Sequence, residues 1–111
     1  MNFIDGKIES GAFVSESIRI PVTRENADPL TIGIRPEHIS VLTEPQNNAI
    51  PATVYVTELM GNETFVFLSV GNNKLIARAA ADFRAELESP VWLRIDAEKA
   101  HYFDRQTGLS I

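Results

Sequence analysis

Residues 52–79 read ATVYVTELMGNETFVFLSVGNNKLIARA, and this stretch decides the fold. Ala52, Val54 and Val56 alternate with Thr53, Tyr55 and Thr57, the period of two that marks a half-buried strand. Gly61-Asn62 makes a turn, Glu63 to Val70 returns as a second long strand, and Gly71-Asn72-Asn73 turns the chain again into a third, Lys74 to Ala79. Within the middle strand, Val66, Leu68 and Val70 line one face and Phe65 and Phe67 the other. Such a strand is either buried between two layers or presents its aromatic pair, beside Tyr55 or Leu59, as a contact patch.

The same period extends outward from this meander. Upstream, Asn2 to Glu9 reads as a strand with a bulge or kink at Asp5-Gly6. Phe13-Val14 and Ile18–Val22 form a hairpin across Ser15-Glu16-Ser17, and Thr23 to Pro29 is a polar loop. Leu30, Ile32 and Ile34 share one face of the next strand, which Pro36 stops. Ile39 to Leu42 is a short strand, and Glu44 to Asn48 is the most loop-like stretch and the best internal boundary. It separates N-terminal strands (1–44) from the meander and closing strands (49–111) within one domain. Downstream, Phe83 and Leu87 at i, i+4 spacing predict a short helix over Ala80 to Glu88, ended by Pro90. Val91, Leu93 and Ile95 form a strand with Trp92 facing away, and Ala100 to Phe103 form the last. The class is therefore all-β: an OB-like Greek-key barrel with an extra N-terminal strand group and at most one short helix.

Composition narrows the function. In 111 residues, 44% are hydrophobic and 23% charged, an ordinary globular balance. The formal net charge of −5 opposes a phosphate backbone, and no basic footprint for nucleic acid is visible. Cysteine is absent, which removes disulfides, thiolate metal sites and cysteine catalysis. No apolar run approaches the roughly 20 residues of a membrane span.

Catalytic patterns are missing too. His38 and His101 are the only histidines, no Gly-x-Ser-x-Gly elbow accompanies them, and they lack the partners of a zinc site. Glu86 and Glu88 read as solvated charge. Gly61 and Gly71 belong to turns, and no Gly-x-x-x-x-Gly-Lys-[Ser/Thr] loop exists to cradle a nucleotide. Arg35-Pro36-Glu37-His38 is more informative. Pro36 suits the first position of a helical turn, and Glu37 sits where such a turn favours negative charge. Arg35, extended before proline, projects a five-donor fork. That fork either pairs within the domain, with Glu58 or Glu63, or reaches another domain or subunit.

Four segments together resemble a known family. They are Met1-Asn2-Phe3 with Gly6; Gly33-Ile34-Arg35-Pro36-Glu37-His38; Val56 to Thr64 (VTELMGNET); and Asp96 to Asp104 (DAEKAHYFD) with Thr107-Gly108. In that order they resemble the C-terminal transport-associated OB (TOBE) domain of the ATPase subunits of sugar-type ABC importers, and the resemblance covers essentially the whole chain. Ser89-Pro90 departs from the family's Gly-rich turn, and Met60 from its commoner aliphatic residue.

The resemblance implies a domain without catalysis or cofactor of its own, taken from a longer protein whose ATP and magnesium sites lie upstream, with Met1 as an internal methionine. It implies regulation and dimerisation: pairing with the same domain of a second subunit, packing on its own ATPase domain, and reception of a regulatory protein. The expected location is the cytoplasmic face of the membrane, which it meets only through permease subunits, in an importer of a sugar, polyol or glycerol phosphate. Arg35, Glu37, Glu58, Glu63, Phe65, Phe67 and Arg78 are the expected contact residues. Related transport-associated domains bind a small oxyanion, which makes a ligand sensor the alternative. A free-standing nucleic-acid-binding barrel is a third reading, and the charge opposes it.

Overall fold

The computed structural model describes residues 1–16 and 18–111; Ser17, the end of the expected hairpin turn, lies outside them. Ten strands follow in order: β1 (Asn2–Glu9), β2 (Ala12–Ser15), β3 (Ile18–Pro21), β4 (Ala27–Ile34), β5 (Ile39–Leu42), β6 (Ile50–Met60), β7 (Glu63–Val70), β8 (Asn73–Ala80), β9 (Pro90–Ile95) and β10 (His101–Asp104). Two three-residue 3-10 turns, Pro36–His38 and Ala97–Lys99, are the only helical pieces among the described residues. The protein is all-β, as its period of two requires. No helix is long and apolar enough to cross a membrane.

The strands form two antiparallel five-stranded sheets, ordered β10-β4-β1-β2-β3 and β5-β9-β6-β7-β8. β5 and β10 cross over. The early strand β5 pairs with β9, while the late strand β10 pairs with β4 and places Tyr102 opposite Ile32. Both sheets feed one contiguous core, in which Ile4, Phe13, Leu30 and Ile32 of the first meet Val54, Leu68, Leu75 and Leu93 of the second. In the second sheet the two end strands, β5 and β8, come close without forming a ladder, so it curls toward the closed form of a small barrel.

Asn2 works at the β8 edge. Its buried carboxamide donates to the carbonyls of Ile34 (3.1 Å) and Ile76 (2.9 Å) and accepts from the Ile76 N–H at 2.7 Å. The side chain thus satisfies both backbone groups of one residue on a strand edge and ties the first sheet to the second.

Three details depart from the sequence reading, each for a physical reason. The fourth strand begins at Ala27 instead of Leu30, running through Pro29. A bulge in the β1–β4 pairing between Gly6 and Ile8 makes this possible: Leu30 faces Gly6 and Ala27 faces Ile8, so Pro29 falls where the ladder asks for no donor. The helix expected over Ala80 to Glu88 does not form. Residues 81–89 make turns, and their polar groups bond elsewhere: Glu88 N–H to Val54 O (2.6 Å) and Val54 N–H to Ser89 O (3.1 Å). Phe83 packs on the core while Leu87 is exposed, so the i, i+4 pair never shares a face. The alternation in β6 also breaks. The β6–β7 register shifts between Val54 and Val56, leaving Tyr55 as an extra residue that turns Val56 away from the core.

Gly6 meets a packing constraint rather than a dihedral one. A Cβ there would strike the Val14 carbonyl oxygen and lie 2.8 Å from Phe13 Cζ. Replacing Gly6 by Ala should destabilise the fold by about 1–3 kcal/mol, read from denaturant midpoints. Asn2→Ala strands the Ile76 N–H and should also cost about 1–3 kcal/mol, seen as a Tm drop of roughly 4–8 °C per kcal/mol. An unchanged Tm would show that the clamp carries no net stability.

Candidate interface on the outer face of the second sheet

Directly opposed residues of an antiparallel pair lie on the same face, so the ladder registers assemble this surface. Val56 faces Phe67, which faces Ile76; Glu58 faces Phe65, which faces Arg78; Met60 faces Glu63, which faces Ala80. The bulge at Tyr55 is the cause, because one added residue exchanges the two faces of a strand. Without it Val56 would point inward and Thr57 outward. Val66, Leu68 and Val70 are buried, whereas Phe65 and Phe67 are half-buried. β7 is therefore covered on one side only.

Aromatic and charged groups interleave on this face. The Tyr55 and Phe67 rings lie 6.2 Å apart, tilted by 57°. Lys74 sits 4.8 Å above the Tyr55 ring and donates to Ser69 Oγ at 2.7 Å. Arg78 Nε meets Glu63 Oε2 at 3.1 Å. From the bulge onward β6 is uncovered: Tyr55, Val56, Leu59 and Met60 are all exposed apolar side chains. Trp92, opposite Leu42 and Pro51, is half-buried and packs beside its cross-strand neighbours.

The turn after β4 borders the same surface. Arg35 is extended (φ −74°, ψ 146°), Pro36 opens the 3-10 turn, and Glu37 lies in its first turn, as the local residues require. The His38 N–H closes the turn on Arg35 O at 2.9 Å. This turn packs against β8, which brings Glu37 into the field of Arg78. The Glu37 carboxyl is held below its usual range first by a hydrogen bond from its own backbone N–H. Slight desolvation opposes this, and the positive charges of Arg78, His38 and Arg35 reinforce it. Arg35 is exposed and makes no ion pair among the described residues; Glu63, one of its two candidate partners, is taken by Arg78.

Six of the expected residues thus gather on or beside one surface: Glu58, Glu63, Phe65, Phe67 and Arg78 on the sheet, and Glu37 at its border. Arg35 stands on the same turn as Glu37. Sequence reading missed a second aromatic cluster, on the outer face of the first sheet. There Phe3, His101 and Gly33 share a row, and the Phe3 and Phe103 rings lie 6.2 Å apart. A Cβ on Gly33 would come within 2.7 Å of Met1 Sδ and 3.2 Å of Phe3 Cε1. Gly33 between Ile32 and Ile34 was the available signal, since a glycine on an outward position leaves space for neighbouring rings. No group of His, Asp and Glu among the described residues is placed to hold a metal ion.

These features define an OB-like domain with aromatic and charged groups interleaved on one outer face. The chain belongs to the TOBE domain family: the family model matches residues 32–103, and the model of the MalK OB fold domain matches residues 1–39. Among full-length relatives it is 32% identical to the ABC transporter ATP-binding protein YcjV of Escherichia coli O6:H1, over 100% of this chain and 33% of that protein. It is also 32% identical to the sn-glycerol-3-phosphate import ATP-binding protein UgpC of Salmonella typhi, over 97% of this chain and 32% of that protein. The chain spans about a third of the length of the curated relatives it matches.

The placement of Glu37 can be checked by NMR titration. Its carboxyl should titrate below the ordinary glutamate value, and Arg78→Ala should move the midpoint upward without restoring that value, because the backbone hydrogen bond remains. A midpoint unmoved by Arg78→Ala would separate the turn from the β8 face.

Proposed function

We propose that this domain is the regulatory and dimerisation module of an ABC importer ATPase subunit, without catalysis of its own. The observation that carries the reading is the half-buried face of β6, β7 and β8, where aromatic rings alternate with Glu58, Glu63 and Arg78. Such a mixture of aromatic residues and Arg under a polar rim is typical of protein contact surfaces. The family membership and the UgpC relative support an importer context, and the substrate class proposed for it is a sugar, a polyol or glycerol phosphate. ATP and magnesium would then be bound by a separate domain of the longer protein, on the cytoplasmic side of the membrane.

In physical terms the module is a tether. It pairs with its counterpart in a second subunit, so that closing of the two ATPase halves becomes an intramolecular event at raised effective concentration. Arg35 is offered to another domain or subunit, a reading supported by its exposure and its lack of an ion pair among the described residues. Glu37, beside it, keeps its charge over the physiological range and orients the same contact.

Arg35→Ala, introduced into the complete ATPase subunit, should lower transport-coupled ATP hydrolysis while leaving the melting temperature of the isolated domain unchanged. Full transport activity in that variant would remove Arg35 from the contact. Phe67→Ser should weaken subunit pairing in sedimentation velocity, and pairing as strong as in the unsubstituted subunit would count against the β6–β8 face.

A further inference from the structure

A trough along β3 adjoins the turn after β4, and Glu37 of that turn lines it. Three adjoining cavities, of about 610, 470 and 260 Å³, share Pro21 and follow β3, the end strand of the first sheet. Their walls include Ile20, Ile50 and Ile95, so the floor is partly apolar.

Charge is distributed unevenly around it. Four of the ten basic residues, Arg19, Arg24, Arg94 and Lys99, line the trough with three of the fifteen acids, leaving six cations against twelve acids elsewhere. Within the trough the cations thus exceed the acids, Glu37, Asp96 and Glu98, by one, while the rest of the described residues are acidic on balance. None of the four cations forms an ion pair with an Asp or Glu side chain among the described residues. Two are also held by backbone oxygens. Arg24 stacks 4.0 Å over the Tyr102 ring and donates to Ile111 O at 2.9 Å, and Arg94 donates to Asn47 O at 3.1 Å. His38, in the wall of the largest cavity, has a buried Nδ1 without a hydrogen-bond partner, an arrangement that native folds rarely leave unfilled.

We infer that this trough receives an extended acidic segment of a partner protein, with carboxylates on the separate cations and apolar side chains on the isoleucine floor. The cations come from four elements: β3, the loop after it, β9 and the second 3-10 turn. That spread suits carboxylates strung along a chain better than one compact ion. Pro21 has no N–H to offer along β3, so side chains and not a new ladder carry the recognition. The inference does not rest on the tethering role, since its cations lie outside the β6–β8 face.

The test uses fluorescence anisotropy with the 111-residue chain and a labelled peptide of alternating Glu and Leu. Binding should weaken with added salt, and a Lys-Leu peptide should not bind. Arg19→Ala, Arg94→Ala and Lys99→Ala should each weaken binding by roughly 2- to 5-fold, and the three changes to Glu together should abolish it, while Lys7→Glu, away from the trough and from the β6–β8 face, leaves it unchanged. Failure of the Glu-Leu peptide to bind, or equal binding by the triple variant, overturns the proposal. So does complete displacement by millimolar inorganic phosphate, which would mark a single-anion site. If the triple variant does not fold, amide shifts of the unsubstituted chain decide: movement at Arg19, Arg94 and Lys99 supports the trough, and movement confined to β6–β8 refutes it.

Discussion

One side-chain amide sets the geometry on which the rest depends. Asn2 bonds to Ile34 at the end of β4 and to both backbone groups of Ile76 on β8. An open sheet edge is a row of unpaired donors and acceptors that would otherwise recruit another chain. Because the residue after Ile34 is Arg35, the clamp also fixes where the 3-10 turn leaves the first sheet. The closeness of that turn to β8, and the electrostatic link between Glu37 and Arg78, follow from it. A polar residue near the start of the chain thereby governs a surface built mostly from residues 55–80.

On that surface the ion pair itself supplies little stability. Arg78 and Glu63 are each partly exposed, and such pairs contribute about 0–1 kcal/mol. Their effect is orientation: a guanidinium held against Phe65 and Glu63 presents a fixed donor pattern. Burial stabilises the other side of the same strands, where Val66, Leu68, Leu75 and Ala77 are almost fully enclosed. The two faces of one sheet differ accordingly, one holding the barrel together and one only partly covered.

Much of this was legible in the amino-acid order, and the gaps have causes. The β6–β7–β8 meander follows from alternation and two Gly-Asn turns, because strand period and turn chemistry are local. The turn at Pro36 was equally readable, since proline constrains both itself and Arg35. The bulge at Tyr55 was not. A single extra residue leaves no mark in a run of β-formers, and it moved Val56 to the outside. The helix over 80–88 failed because Val54, distant in sequence, captured the backbone groups of Glu88 and Ser89. The Asn2 clamp and the crossing of β5 and β10 are long-range facts of the same sort. The candidate surface was foreseen as a set of residues because Glu58, Phe65 and Arg78 lie on one meander, whose neighbours are fixed by turn length.

The bulge at Tyr55 carries a consequence for how this hairpin can vary among related proteins. Between residue 55 and the turn, inserting or deleting one residue on one strand would swap every later side chain to the opposite face, placing Met60 and Glu58 where Leu59 and Thr57 now stand. Paired changes, one residue on each strand, would instead lengthen the hairpin and leave its chemistry on the same sides. The hairpin is thus free to change length while its sidedness is held by parity, a discrete constraint that ordinary residue-by-residue substitution does not touch.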